Sequence, residues 1–139
     1  MKEKATGPVD HIQIMVSDIR ESEKFYGPIL DWLGFTKVLK MKDMVQWERG
    51  GTRIILVQRP ERFRANKFHR KQVGLNHLAL RAPSRAALDE FYRSHLLPME
   101  IPILYGGPRE WPEYEPGYYA VYFEDPDRIK LELVYTPEN

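Results

Sequence analysis

The sequence predicts an α+β fold of two βαβββ modules, a cup-shaped mixed sheet with its helices on the outer face. Three observations carry that prediction. Short runs alternate apolar and polar residues, as half-buried strands do. Each half of the chain contains one stretch with helical spacing. The order of these stretches then occurs twice, at a period too long for a solenoid. With 139 residues, 42% of them hydrophobic, the chain has the size of one domain with a substantial core. Module one is expected over about residues 8–59 and module two over about 74–136, joined by a basic linker at 60–73.

In chain order, Val9 to Val16 (VDHIQIMV) alternates as a strand, with Ile12, Ile14 and Val16 on one face and His11, Gln13 and Met15 on the other. Ser17-Asp18 offers an N-cap, and Ile19 to Leu33 has helical spacing through Phe25, Ile29, Leu30 and Leu33. Gly27-Pro28 predicts a kink or a split in that helix, and Gly34 ends it. Phe35 to Met41, Met44 to Glu48 and Arg53 to Gln58 complete the first unit as three strands. The second copy aligns at a shift of 66 (His11 with His77, Phe25-Tyr26 with Phe91-Tyr92), and its last strands at 75 (Trp47 with Tyr122, Leu56 with Leu131). Between the copies, Arg59 to Gln72 holds six basic residues and one acid, which suits a solvated linker or an anion-binding segment. Tyr105 to Gly117, rich in Pro, Gly, Glu and aromatics, predicts a long ordered loop over a site.

Composition removes several function classes. The net charge of +1 favours neither nucleic acid nor membrane as a partner. There are no cysteines, so disulfides and thiolate chemistry are excluded, and any metal must take N and O ligands. No glycine-rich phosphate loop or GxSxG is present. MKEKATGPVD lacks the apolar stretch of a signal peptide, so the expected compartment is the cytoplasm. The charge is unevenly divided: residues 1–71 are net +6 and residues 72–139 net −5.

The last hairpin, Tyr118 to Tyr135, concentrates the chemistry. Asp125-Pro126-Asp127 separates two strands, and alternation on the second puts Ile129, Leu131 and Leu133 on one face and Lys130, Glu132 and Val134 on the other. Glu132 is thus a carboxylate among buried positions, where carboxylates need a partner. A lone strand His is ordinarily structural. Here His11 and His77 occupy repeat-related positions facing away from the helix rows, as Glu132 does. If the modules join as a curved sheet, the three converge as a 2-His-1-carboxylate set for one divalent ion of Fe, Mn, Ni, Zn or Co. His69 and His95 look incidental.

The stretches VDHIQIMVSDIRESEKFYGPILDWLGF, LNHLALRAPSRAALDEFY and YYAVYFEDPDRIKLEL resemble the vicinal oxygen chelate superfamily, which includes glyoxalase I, extradiol dioxygenases, fosfomycin-resistance enzymes and bleomycin-binding proteins. The resemblance covers about residues 8–136. It implies paired modules around a divalent metal, with His11, His77 and Glu132 at the ligand positions. It also implies a small oxygenated substrate, chelated so that an oxyanion or enolate is stabilised. Val57 stands where glyoxalase I needs a fourth carboxylate or amide ligand, which argues for a three-ligand dioxygenase, lyase or transferase. Arg128 replaces the family's usual turn glycine at a left-handed position, a strain of about 1 kcal/mol.

A Pro126-Asp127-Arg128 loop pairs Asp125 with Ile129 and Tyr122 with Glu132, so Tyr122 faces the cavity as a candidate general acid or as a rim aromatic. Extradiol dioxygenases similarly carry a Tyr ten residues before the metal Glu. Trp47, matched to Tyr122, is expected as an apolar wall, and Gln13, Val57, Trp111 and Tyr118 as further substrate contacts. In many small relatives two chains complete each cup, and the opposite-signed halves favour a homodimer with shared metal sites. The alternative is a metal-free cup that sequesters a planar or cationic compound.

Overall fold

The computed structural model describes residues 7–137, which divide into two compact units at Ala65/Asn66. In the first, β1 (His11–Val16) is followed by α1 (Ile19–Trp32), β2 (Thr36–Lys40), β3 (Met44–Arg49) and β4 (Thr52–Gln58). The sheet order is β1-β4-β3-β2, with β1 and β4 parallel and the other pairs antiparallel. Asp18 caps α1 by accepting from the amides of Arg20 and Glu21. The helix is continuous through Pro28 rather than split there. Pro28 faces solvent, where the carbonyl that loses its amide partner can be hydrated.

The side of this sheet that meets α1 is formed by Ile14, Val16, Val45, Ile54 and Leu56, all buried. Trp47 belongs to that side too, because it pairs directly with Ile54, and opposed residues of an antiparallel pair share a face. Lys37, opposite Trp47 on β2, ion-pairs with Glu23 of α1, which fixes the assignment. The expectation that Trp47 lines the cavity is therefore corrected. Its cause is the turn: Gly50-Gly51, both with positive φ, close a two-residue hairpin with Arg49 opposite Thr52. A three-residue loop like Pro126-Asp127-Arg128 would have shifted the register and turned Trp47 to the other side. His11, Gln13 and Met15 occupy the opposite side and are exposed.

The second unit runs β5 (His77–Arg81), α2 (Arg85–Phe91) with a π-helical turn at Tyr92–Leu96, β6 (Ile103–Glu110), β7 (Tyr119–Glu124) and β8 (Lys130–Tyr135). Its order is β5-β8-β7-β6, with β5 and β8 parallel, the same topology as the first. Both faces of β7 and β8 are covered. Val121, Phe123, Leu131 and Leu133 lie on the α2 side with Leu88, while Ala120, Tyr122 and Val134 pack with Trp111, Leu104 and Tyr118 on the other. Arg128 takes φ 65 at the hairpin tip, as its position implies. The amide of Asp125 donates to Ile129 O at 2.9 Å.

Two expectations about segments change here. Half of the Tyr105–Gly117 loop is strand β6, bulged between Leu104 and Arg109, and Trp111 to Tyr118 forms a tight turn that closes on the sheet. The linker is not wholly solvated either: Arg70 reaches Glu124 at 3.6 Å, and its carbonyl accepts from Asn76. No helix among the described residues is long and apolar enough to cross a membrane.

Candidate metal and ligand site

The register of β8 turns Glu132 to the face opposite α2, between Ala79 on β5 and Tyr122 on β7. There it is 1% exposed. Tyr118 donates its hydroxyl to Oε1. Oε2 has no hydrogen-bond partner, although His77 Nε2 lies only 3.0 Å away. The distance is short enough for an ion pair and the Tyr122 hydroxyl also acts on this carboxylate, yet no hydrogen bond to Oε2 is formed. A buried carboxylate oxygen left so costs stability.

Asn76 explains which nitrogen of His77 is open. His77 Nδ1 lies 2.8 Å from Asn76 Oδ1, an oxygen that can only accept, so in the neutral ring the proton is on Nδ1 and Nε2 keeps the lone pair. Two donors about 2.1 Å from one ion and at right angles to it lie about 3.0 Å apart. An open imidazole nitrogen and an orphaned carboxylate oxygen at that separation fit a divalent cation. The first unit repeats the arrangement at His11, whose Nδ1–H donates to Asp10 Oδ1 at 2.7 Å and holds that carboxyl below its usual range. Among the described residues no group of three His, Asp or Glu side chains is poised as ligands. The second unit supplies two ligand types, and His11 belongs to the first.

Aromatic side chains wall this face. The Tyr122 ring meets His77 edge-on at 5.9 Å, Trp111 at 5.2 Å and Tyr105 at 5.4 Å between centroids. Tyr114 stacks on Trp111, their planes 10° apart. Burial first, and then the Glu132 hydrogen bond and charge, raise the pKa of Tyr118; burial and the Glu132 charge raise that of Tyr122. Both hydroxyls therefore stay protonated and can donate. Trp111 and Tyr118 thus lie on the Glu132 face with Tyr122, and Trp47 does not share the corresponding position in its own unit.

The registers also refine the role of Val57. Gln13 and Ala79, aligned by the repeat, pair with Ile55 and Glu132 respectively. By pairing, Ile55 occupies the place of the carboxylate, with Val57 two residues further along the same face. Both are apolar, so neither adds a ligand. Sequence reasoning missed Asp10 and Asn76, although each immediately precedes its His at the repeat shift. It also passed over Lys130, whose alternation already placed it beside Glu132, and Tyr105 on the bulge.

A βαβββ unit built twice, one copy carrying a His–Glu pair on the face its helix leaves open, defines the vicinal oxygen chelate class. Residues 9–133 match the model of the Glyoxalase/Bleomycin resistance protein/Dioxygenase superfamily, and the chain belongs to that superfamily. It is 37% identical over 124 residues to Uncharacterized protein YqjT of Bacillus subtilis (strain 168), spanning 89% of this chain and 95% of that protein. A candidate glyoxalase from Bacillus halodurans, solved by crystallography, has a TM-score of 0.85 at 37% identity over 93% of this chain and 96% of its own. Lactoylglutathione lyase from Agrobacterium tumefaciens shares the fold, with a TM-score of 0.65 at 23% identity over 95% and 96% of the two chains.

Proposed function

We propose that this protein is a divalent-metal enzyme that acts on a small oxygenated substrate as a dioxygenase, lyase or transferase. The observation that carries the reading is the orphaned Glu132 Oε2, 3.0 Å from the open Nε2 of His77. His77 and Glu132 would hold the cation, and a His11 imidazole, from the same chain or from a second copy, would be the third ligand. Such a cation would supply Lewis acidity toward adjacent oxygens of the substrate. The chain's own residues do the rest. Asn76 keeps the His77 tautomer that leaves Nε2 free. Tyr118 orients Glu132 through Oε1. Tyr122, on the same face, donates a hydrogen bond or a proton to a substrate oxygen. Trp111, buried against Tyr122, shields that oxygen's surroundings from water.

Wild-type protein stripped by a chelator and then reloaded with Fe, Mn, Co, Ni or Zn tests this reading against catechols, a glutathione–methylglyoxal adduct and fosfomycin. We expect turnover of one class only, dependent on metal, and lowered about 10²-fold or more in Tyr122→Phe if the hydroxyl transfers a proton. Turnover undiminished by stripping, or none with any pairing, contradicts it. The Trp111–Tyr114 stack, with the Arg109 guanidinium 3.4 Å from the Trp111 centroid, favours the second reading of a cup for planar ligands. Tight binding of a planar compound with no turnover and no metal uptake would select that second reading.

A further inference from the structure

Lys130 stands on the Glu132 face of β8, one strand repeat (about 6.8 Å) before it, and opposite His77 in the parallel register. Glu124 stands opposite Lys130 on β7 but is paired with Arg70 at 3.6 Å and Arg128 at 3.1 Å, and no ion pair of the Lys130 ammonium is found among the described residues. Nζ instead donates to Tyr105 Oη at 3.0 Å and lies 4.8 Å from the ring centroids of both Tyr105 and Tyr122. An ammonium has three donors, and one is used here.

The backbone is strained to make this contact. Tyr105 has φ 57, a left-handed conformation costly for a residue with a Cβ, and Gly106 (φ 85) and Gly107 (φ 100) continue it. The run pushes Tyr105 to Pro108 out of the ladder between Leu104 and Arg109. Its result is a hydroxyl placed on Lys130, with the Tyr105 ring against Tyr122 and Trp111. The Lys130 hydrogen bond, with Arg70 and Lys71 at the end of the basic linker adding to the field, lowers the pKa of Tyr105. Lys130, with Lys71 nearby, thus gives a positive edge to the His77–Glu132 face, while the charge of Arg70 is shared with Glu124.

We propose that Lys130 and Tyr105 form a clamp for an anionic group, a carboxylate or phosphonate, on the substrate whose oxygens approach His77 and Glu132. The inference deepens the metal-enzyme reading and rests on it for the second half of that statement. It narrows the substrate class to small oxygenated acids, because the two anchor points are only about one strand repeat apart. Lysine presents a point charge without a planar fork, so either anion geometry is accommodated.

The test is calorimetric titration of the full chain with phosphonoacetate, and with its neutral trimethyl ester, both in chelator and with Mn²⁺. Wild type should bind the acid and not the ester. Lys130→Met, which keeps the aliphatic stem, should weaken binding about tenfold or more. Lys130→Arg should retain it, and Tyr105→Phe, which keeps both ring contacts, should weaken it about threefold or more. Absence of wild-type binding, or equal affinity in Lys130→Met, overturns the clamp. If Lys130→Met does not fold, unchanged affinity in Tyr105→Phe overturns it. The two readings fail separately. Lys130-dependent binding that Mn²⁺ does not strengthen keeps the clamp and removes the metal. Mn²⁺-dependent binding that ignores Lys130 but is lost in Glu132→Gln does the reverse.

Discussion

Glu132 carries a cost that its surroundings only half repay: Tyr118 satisfies one oxygen, and the other faces His77 Nε2 without a hydrogen bond. A residue kept for stability alone would be better as an amide, which donates to an imidazole lone pair and needs no charge buried. In chelator, Glu132→Gln should therefore be at least as stable as wild type, by up to about 1–2 kcal/mol in denaturant melts. A loss of about 1–3 kcal/mol would mark Glu132 as structural instead. At this scale much was legible, because alternation set His77 and Glu132 away from their helix rows, as the strand pairing has them. The orphaned oxygen was not legible, since it depends on side-chain geometry that alternation does not set. Asp10 and Asn76 were in plain view but passed over, being next to their histidines rather than spaced from them.

Among the elements, turn length decided what could be read. The Asp125–Ile129 loop was counted correctly, so Tyr122 is found opposite Glu132. Trp47 aligns with Tyr122 at a shift of 75, and the shorter Gly50-Gly51 turn puts it on the α1 side instead. The Tyr105–Gly117 segment hid a strand because its glycines break the alternation that would have shown it. The link between α1 and β2 was invisible, as it depends on long side chains meeting across layers. There Glu23 accepts from Lys40 at 2.8 Å and from Lys37 at 3.4 Å. The Lys40 hydrogen bond, partly offset by burial, holds the Glu23 carboxyl below its ordinary 4.5. A depressed carboxyl contributes stability above its unfolded value and loses it as pH falls through the folded one. Wild type should thus lose about 0.5 kcal/mol of this contribution as pH drops below 4.5, a value discounted for the exposed lysines. Glu23→Gln should show a correspondingly flatter pH profile in thermal melts, and an identical profile would dismiss the tie.

At the scale of the whole molecule, the two halves are net +6 and −5, and we propose a homodimer that sets first units against the partner's second units. His11→Ala and Glu132→Ala chains, unfolded and refolded together, should then recover one intact metal site per mixed dimer. A monomer by sedimentation that binds metal at full stoichiometry would rule this out. The central claim, however, is the cation itself, and elemental analysis of dialysed, metal-reloaded protein tests it most directly. Wild type and His69→Ala should hold about one divalent ion per chain, the capacity of one such site, and Glu132→Ala should hold none. Wild type that takes up none of Fe, Mn, Ni, Zn or Co, or Glu132→Ala that keeps its ion, would contradict it.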